Sequence, residues 1–227
     1  MQRRRFTSAL ASIAGLSTLS APARAVSDAD ASIGIRTALE RGAVAAVGLL
    51  GRADGFLGNP KVRIPLPGFL EDAAPLLRAA GQQRRVDELV TAMNRAAEAA
   101  VPEAKTLLVN AVKSMSVSDA QQILTGGDDA ATQFFARRTR EPLGTKFLPI
   151  VTRATKKVAL AEKYNALAGK ASSFGLLKRQ DANLESYVTG KTLDGLYLMI
   201  GEEERKIRRD PVGTGSAVLK RVFGSLR

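Results

Sequence analysis

Apolar residues recur every three or four positions along most of the chain, which is the spacing of an α-helix with one buried face. The pattern is clearest between Val86 and Ala100, and Pro102 then ends that helix and begins the next one. A short terminal helix is expected over 218–223. Glycine or proline interrupts the pattern elsewhere, and there we expect helix boundaries: Gly51, Gly81, Pro142, Pro149 and Pro211. Because no ladder of alternating positions is present, the sequence predicts a compact all-α domain of about eight to ten helices and no sheet.

Polar residues that suit helix starts refine this prediction. Asp128 or Asp129 is expected to cap a helix that runs to about Arg140. Asn183 is expected to cap a short helix, which the last long helix over 191–209 follows.

The segment 51–67 is rich in glycine and proline and shows no helical period. Four apolar residues are spread through it: Phe56, Val62, Ile64 and Leu66. This apolar content is too high for a solvated loop, so we expect the segment to lie ordered across the helices.

The first 25 residues have the three parts of a cleavable secretory signal peptide. Arg3-Arg4-Arg5 forms a basic start, an uncharged run follows, and Ala23-Arg24-Ala25 fits the cleavage site. The run is too short to cross a bilayer, which needs about 20 apolar residues. The alternative is an N-terminal helix that belongs to the fold. Cleavage leaves a single domain over 26–227, periplasmic or secreted, exported by the twin-arginine or the general secretory route.

Charge and aromatic content limit the partners. The formal net charge is +12, and removal of the signal peptide takes away four arginines and no acid. The remaining positive charge is either ordinary solubility charge or the basis of peripheral contact with anionic surfaces. Nucleic acid is not expected as a partner, because the three tyrosines are not interleaved with a basic cluster.

The chain contains neither histidine nor cysteine. The Ser-His-Asp and Cys-His catalytic systems are therefore excluded, as are zinc, copper and iron sites of the usual kind. No disulfide or lipoprotein anchor is available, and no mature segment is apolar enough to cross a membrane. We expect no cofactor and no tightly bound transition metal, and any metal would be a hard ion with oxygen ligands, such as calcium or magnesium. Any catalysis would depend on carboxylate, lysine, tyrosine or hydroxyl groups.

Two polar residues fall inside apolar helical stripes. Glu204 lies near the centre of the stripe in the last long helix, and Asn165 continues the stripe that begins after Pro149. We predict that both lie inside the bundle and share one polar cluster. Asn94 is a further candidate member, because it flanks the stripe of its own helix.

Other charged residues complete the candidate site. Arg63 and Arg95 are possible cationic partners for Glu204, although Arg95 points away from the stripe of its helix. The pair Asp128 and Asp129 is either a helix cap or a ligand pair for calcium or magnesium. The cluster is either a structural hydrogen-bond network or the lining of a pocket, and its candidate residues are Asn94, Arg95, Glu98, Asp128, Asp129, Asn165 and Glu204, with Arg63 from the loop.

Six stretches of the mature chain form distinctive motifs: Asp54-Gly55-Phe56, Asn59 to Pro67, Met93 to Glu98, Leu124 to Thr132, Tyr164-Asn165, and Asp194 to Tyr197 with Glu202-Glu203. They resemble the motifs of the domain of unknown function 4197 family, which is found in exported proteins of Gram-negative bacteria. The resemblance spans nearly the whole mature chain. It implies an exported helical domain with no established activity, and it supplies no catalytic residues.

Two classes of function remain open. The first is a non-enzymatic exported protein that binds an unknown ligand or a component of the cell envelope. The alternative is a hydrolase that depends on carboxylates, or on calcium or magnesium, and uses acids such as Glu98, Asp129 and Glu204.

The signal peptide leads to a prediction about processing. The exported protein should begin at Val26, because the small residues before it fit the specificity of signal peptidase. Intact mass and N-terminal sequencing of the exported material measure this directly. An accumulated form that keeps residues 6–20 would contradict the prediction.

Overall fold

A computed structural model of the chain describes residues 28–173 and 183–210. In this part of the chain all regular structure is helical and no strand occurs, which confirms the all-α class. Within the described residues the helices form six continuous stretches, fewer than the eight to ten predicted. The signal peptide, the terminal helix over 218–223 and most of the loop after α7 lie outside the described residues. The α-helices are α1 (Asp28–Leu50), α2 (Gly68–Leu77), α3 (Gln83–Ala100), α4 (Ala104–Lys113), α5 (Val117–Thr125), α6 (Ala130–Thr155), α7 (Ala159–Ser173) and α8 (Leu184–Arg209).

The second continuous stretch contains three of these helices. A π turn over Arg78–Gln82 joins α2 to α3, and a 3-10 turn over Val101–Glu103 joins α3 to α4. Gly81 has a φ of 75°, which side chains rarely tolerate, so the predicted interruption at this glycine is confirmed.

The long helices α6 and α8 pack along each other at the centre of the bundle. Helix α3 packs mainly on α6, while α1 lies against α8, α4 and α5. The interior contains aromatic and branched side chains from nearly every element, and several of them are almost completely inaccessible: Phe56, Phe135, Phe147, Leu89, Met93, Leu143, Tyr164 and Leu196.

Helix α6 runs through both of its prolines, so the boundaries predicted at Pro142 and Pro149 are wrong. An interior proline removes one hydrogen bond and costs about 3 kcal/mol. The two prolines are seven residues apart and both are exposed, so the carbonyl groups that they leave unpaired lie on the solvent side. Leu143, Phe147 and Val151 are completely buried on the opposite side, and this packing outweighs the cost of the prolines.

Helix α8 is also longer than predicted. Asn183 caps it as expected, because its Oδ1 accepts a hydrogen bond from the Ser186 N–H at 2.7 Å. The short helix expected after Asn183 and the long helix expected over 191–209 are one continuous helix to Arg209, since one face stays buried along its whole length.

The segment 51–67 forms turns without a regular element, as predicted. Phe56 is completely buried, and the other three apolar anchors, Val62, Ile64 and Leu66, are each at most 7% exposed. The ring of Phe56 lies against Gly195 of α8, where a Cβ atom would come within 2.8 Å of the ring. A larger residue at position 195 would therefore displace the segment.

Because four anchors are buried, we expect the segment 51–67 to resist proteolysis in the native protein. Trypsin should cut after Lys61 and Arg63 only when the whole domain unfolds, although both side chains are exposed. Cleavage followed by mass spectrometry with increasing urea measures this. Rapid cutting at these two sites without urea, while the helical signal is intact, would contradict the packing of the segment.

Candidate functional site

Glu204 lies in the interior at 4% exposure, as its position in the apolar stripe predicted. Its carboxylate accepts hydrogen bonds from the backbone N–H groups of Ala131 and Thr132, each at 2.9 Å. The hydroxyl of Thr132 donates a third bond at 2.9 Å. These N–H groups belong to the first turn of α6, where a helix has no internal acceptor for them. Glu204 therefore caps α6 from another helix.

The cation that accompanies Glu204 is Arg208, one turn further along α8. Its Nε and Nη2 lie 3.2 and 2.9 Å from Oε1 of Glu204, and Nη2 also donates to the Ile123 carbonyl at 2.8 Å. The guanidinium side chain is 15% exposed. The predicted partners were Arg63 and Arg95, and both assignments are wrong because each engages the segment 51–67.

A second cluster holds the segment 51–67 against α3. One oxygen of Glu98 accepts the backbone N–H groups of Phe56 and Leu57, each at 3.0 Å. Its other oxygen accepts from Arg95 at 2.7 Å, and Arg95 also reaches Asp54 at 2.9 Å. Burial raises the pKa of this carboxyl, but the backbone hydrogen bond from Leu57 and the contact with Arg95 lower it by more. The net pKa lies below its ordinary value.

Asn94, one turn before Glu98, is completely buried and belongs to the same cluster. Its Oδ1 accepts the Ile64 N–H at 2.8 Å, and its Nδ2 donates to the Ile64 carbonyl at 3.0 Å. Arg63 donates within the segment to the Leu57 carbonyl at 2.7 Å. We call Asn94, Arg95 and Glu98 the segment clamp, since all three bind the segment 51–67.

Asn165 is half-buried and forms a third, separate cluster. Its Oδ1 accepts the Leu184 N–H at 2.8 Å, and its Nδ2 donates to both oxygens of Glu185, at 3.2 and 3.0 Å. The prediction that Asn165 and Glu204 share one cluster is therefore wrong. The predicted stripe was counted across the turn between α6 and α7, where the helical phase changes.

The two adjacent acids before α6 do not cap it through their side chains. Asp128 is exposed, and Asp129 accepts a hydrogen bond from Gln133 at 2.9 Å. Glu204 takes the position that either aspartate was predicted to fill. Within residues 28–173 and 183–210, no three acidic side chains gather closely enough to hold a metal ion.

An open cleft of about 340 Å³ lies where the start of α2 meets α6 and α8. It is lined by Gly68, Arg140, Ser186, Tyr187, Gly190, Lys191 and Asp194. None of these residues was predicted as part of a site, and only Asp194 belongs to a family motif. Arg140 and Lys191 occupy ordinary solvent-facing positions of their helices, so nothing in the periodic pattern distinguishes them.

Aromatic rings lie beside both cationic side chains of this cleft, and an ion pair holds one of them. Arg140 Nη2 lies 2.6 Å from Asp194 Oδ1, and its guanidinium lies 5.8 Å from the Tyr197 ring centroid. Lys191 Nζ lies 5.8 Å from the centroid of the Tyr187 ring. The Tyr187 hydroxyl donates to the carbonyls of Pro65 and Leu66 at 3.2 and 3.4 Å, which ties this wall to the segment before α2.

The fold and these clusters define an all-helical protein in which buried polar side chains hold backbone segments, and a polar cleft opens at the surface. The chain belongs to the family described as "Protein of unknown function (DUF4197)", which matches residues 25–224 and confirms the resemblance seen in the motifs. No curated protein and no solved structure matched it. Within the described ranges, no helix has the length and hydropathy needed to cross a bilayer.

The Glu204 contacts lead to a prediction about stability. Glu204→Leu should lower the free energy of unfolding by about 3–5 kcal/mol, because it leaves Arg208 and two backbone N–H groups without their acceptor. Glu204→Gln should cost less, about 1–3 kcal/mol, since one carbonyl oxygen remains to accept a hydrogen bond. Urea unfolding of each variant measures these values.

Glu203→Gln is the matched control, because Glu203 is adjacent and, in the described part of the chain, its one ion pair is with the exposed Lys206. We expect this control to change stability by less than about 1 kcal/mol. A Glu204→Leu variant as stable as the parent protein would contradict the capping role. It would favour the alternative that Glu204 lines a pocket.

Proposed function

We infer that this chain is an exported periplasmic protein that binds a small anionic ligand without catalysis, and that the ligand occupies the cleft between α2, α6 and α8. The observation that carries this proposal is the convergence of two cationic side chains, Arg140 and Lys191, on an open polar cleft. The signal peptide predicted over residues 1–25 supports the location.

The two cationic side chains of the cleft differ in whether a carboxylate already pairs with them. Arg140 pairs with Asp194, whereas no carboxylate in the described part of the chain pairs with Lys191. Lys191 is exposed, so its ammonium can turn from the Tyr187 ring toward a ligand at little cost. A carboxylate or phosphate group would add the negative charge that balances this lysine.

The start of α2 adds a second attraction for an anion. Pro67 is the N-cap residue and has no side-chain acceptor, so no side-chain hydrogen bond caps this helix. The N-terminus of a helix carries partial positive charge, and Gly68 at this position lines the cleft. Glu71 is in the same first turn but does not line the cleft.

The alternative, a carboxylate- or metal-dependent hydrolase, gains no support from the acids named for it. Glu98 and Glu204 each have both oxygens engaged by backbone N–H groups or arginine, in different clusters. Asp129 is exposed and bonds Gln133 of its own helix. A general acid or base must be free to exchange a proton with substrate, and the two buried acids would have to release backbone first.

Lys191→Gln should weaken binding of small anions about tenfold, because a hydrogen bond to a charged group contributes roughly 1.5–3 kcal/mol. The measurement is the rise in melting temperature and the calorimetric affinity with inorganic phosphate and with succinate. Lys105→Gln removes the same charge from an exposed position of α4, a helix that does not line the cleft, and should keep the parent affinity.

Two outcomes of this experiment would contradict the proposal. One is that neither anion stabilises the parent protein. The other is that the Lys191 and Lys105 variants lose affinity equally, which would trace binding to the overall charge and not to the cleft.

A further inference from the structure

Two chain reversals meet at one end of the bundle. The first is the π turn over Arg78–Gln82, and the second is the connection between α6 and α7. An open groove of about 990 Å³ runs between them, lined on one side by the chain from Gly81 to Ala92 and on the other by Lys157, Val158 and Ala159. We call this end of the molecule the basic end.

Five exposed cations surround these reversals: Arg78, Arg84, Arg85, Lys156 and Lys157. The acids that line the groove are already engaged, since Asp87 accepts from Gln83 at 2.8 Å and Glu88 lies 3.5 Å from Arg84. In the described ranges no carboxylate pairs with the remaining four cations. The basic end therefore presents a net positive charge to the solvent.

The same end carries Leu76, which is 75% exposed on the last turn of α2. The other exposed large apolar side chains in the described residues are at most 59% exposed. Pro75 before it and Ala79 and Ala80 after it are also exposed, while the exposed acid Asp72 lies one turn earlier on α2. An exposed leucine beside arginines is costly in water but suits the boundary between lipid headgroups and acyl chains.

We propose that the basic end docks peripherally on a bilayer with anionic headgroups, with Leu76 inserted at the headgroup level and the five cations facing the phosphates. Charge complementarity selects a lipid surface, and Leu76 adds an apolar contact that a soluble polyanion does not offer. The contact that we propose is superficial, as expected for surface cations and a single inserted side chain. This inference is independent of the anion cleft, which Lys191 marks.

Vesicle co-sedimentation tests this inference with the purified protein in the form that cells accumulate. We expect binding to vesicles of phosphatidylcholine with phosphatidylglycerol, and little binding to phosphatidylcholine alone. The triple change Arg78→Gln, Arg85→Gln and Lys157→Gln should weaken binding roughly a hundredfold, at about a factor of five per cation. Salt should weaken binding of the parent protein as well.

The matched control removes three charges from other exposed positions, through Lys105→Gln, Lys113→Gln and Lys146→Gln. It should retain at least most of the parent affinity, and an equal loss in both triple variants would overturn a localised docking surface. All of these side chains are exposed, so unchanged melting curves are expected for both variants.

Leu76→Ser distinguishes a lipid surface from a soluble polyanion. It should reduce vesicle binding several-fold while the salt dependence remains, because it removes only the apolar contact. Unchanged vesicle binding by this variant would overturn insertion at the headgroup level.

Equal binding of the parent protein to neutral and anionic vesicles would overturn the proposal as a whole. The Lys191→Gln variant should bind vesicles like the parent protein. Anion binding in the cleft and membrane docking at the basic end can therefore be tested separately.

Discussion

Backbone N–H groups that lie inside the core but outside regular helical hydrogen bonding need acceptors, and the interior of this bundle supplies them from side chains. Glu204 accepts two from the first turn of α6, and Glu98 accepts two from the segment 51–67. Asn94 accepts the backbone N–H of Ile64, and Asn165 accepts the backbone N–H of Leu184 at the start of α8. A buried N–H group without a partner costs roughly 1–3 kcal/mol, so these contacts decide which arrangement of helices is stable. They matter more here because the chain has no cysteine and therefore no disulfide.

The fold class and the core could be predicted because both depend on local periodicity. The stripe in α3 and the four anchors of the segment 51–67 are buried as their spacing indicated. The errors arose where a local rule competed with packing. Pro142 and Pro149 break helices in isolation, but both sit on the solvent side of α6, where the unpaired carbonyl groups can reach water. The sequence shows the prolines but does not show how strongly the opposite face packs on α8.

The candidate site was predictable only in part. Burial of Glu204 followed from its place in one uninterrupted helix, and the structure confirms it. Grouping Glu204 with Asn165 required knowing which helix starts lie beside each stripe, and that is a property of tertiary structure. The cap of α6 illustrates the difficulty, because a residue 75 positions away from Asp129 takes the role that local capping rules give to Asp128 or Asp129. The cation that does pair with Glu204 is Arg208, and its i+4 position in the same helix is the usual spacing for such a pair.

The buried charges of this fold are carboxylates that hold backbone, and the exposed cations are the side chains available for binding. The carboxylates of Glu98 and Glu204 hold backbone, so any change there acts first on stability. Lys191 and the cations of the basic end are exposed and hold no buried backbone group, so changing them should affect the fold little. Binding therefore belongs to surface cations on a scaffold whose interior acids fix the geometry. The segment 51–67 links the two, because the clamp on α3 holds it at Glu98 and Asn94 while its end at Pro65 and Leu66 receives the Tyr187 hydroxyl at the wall of the cleft.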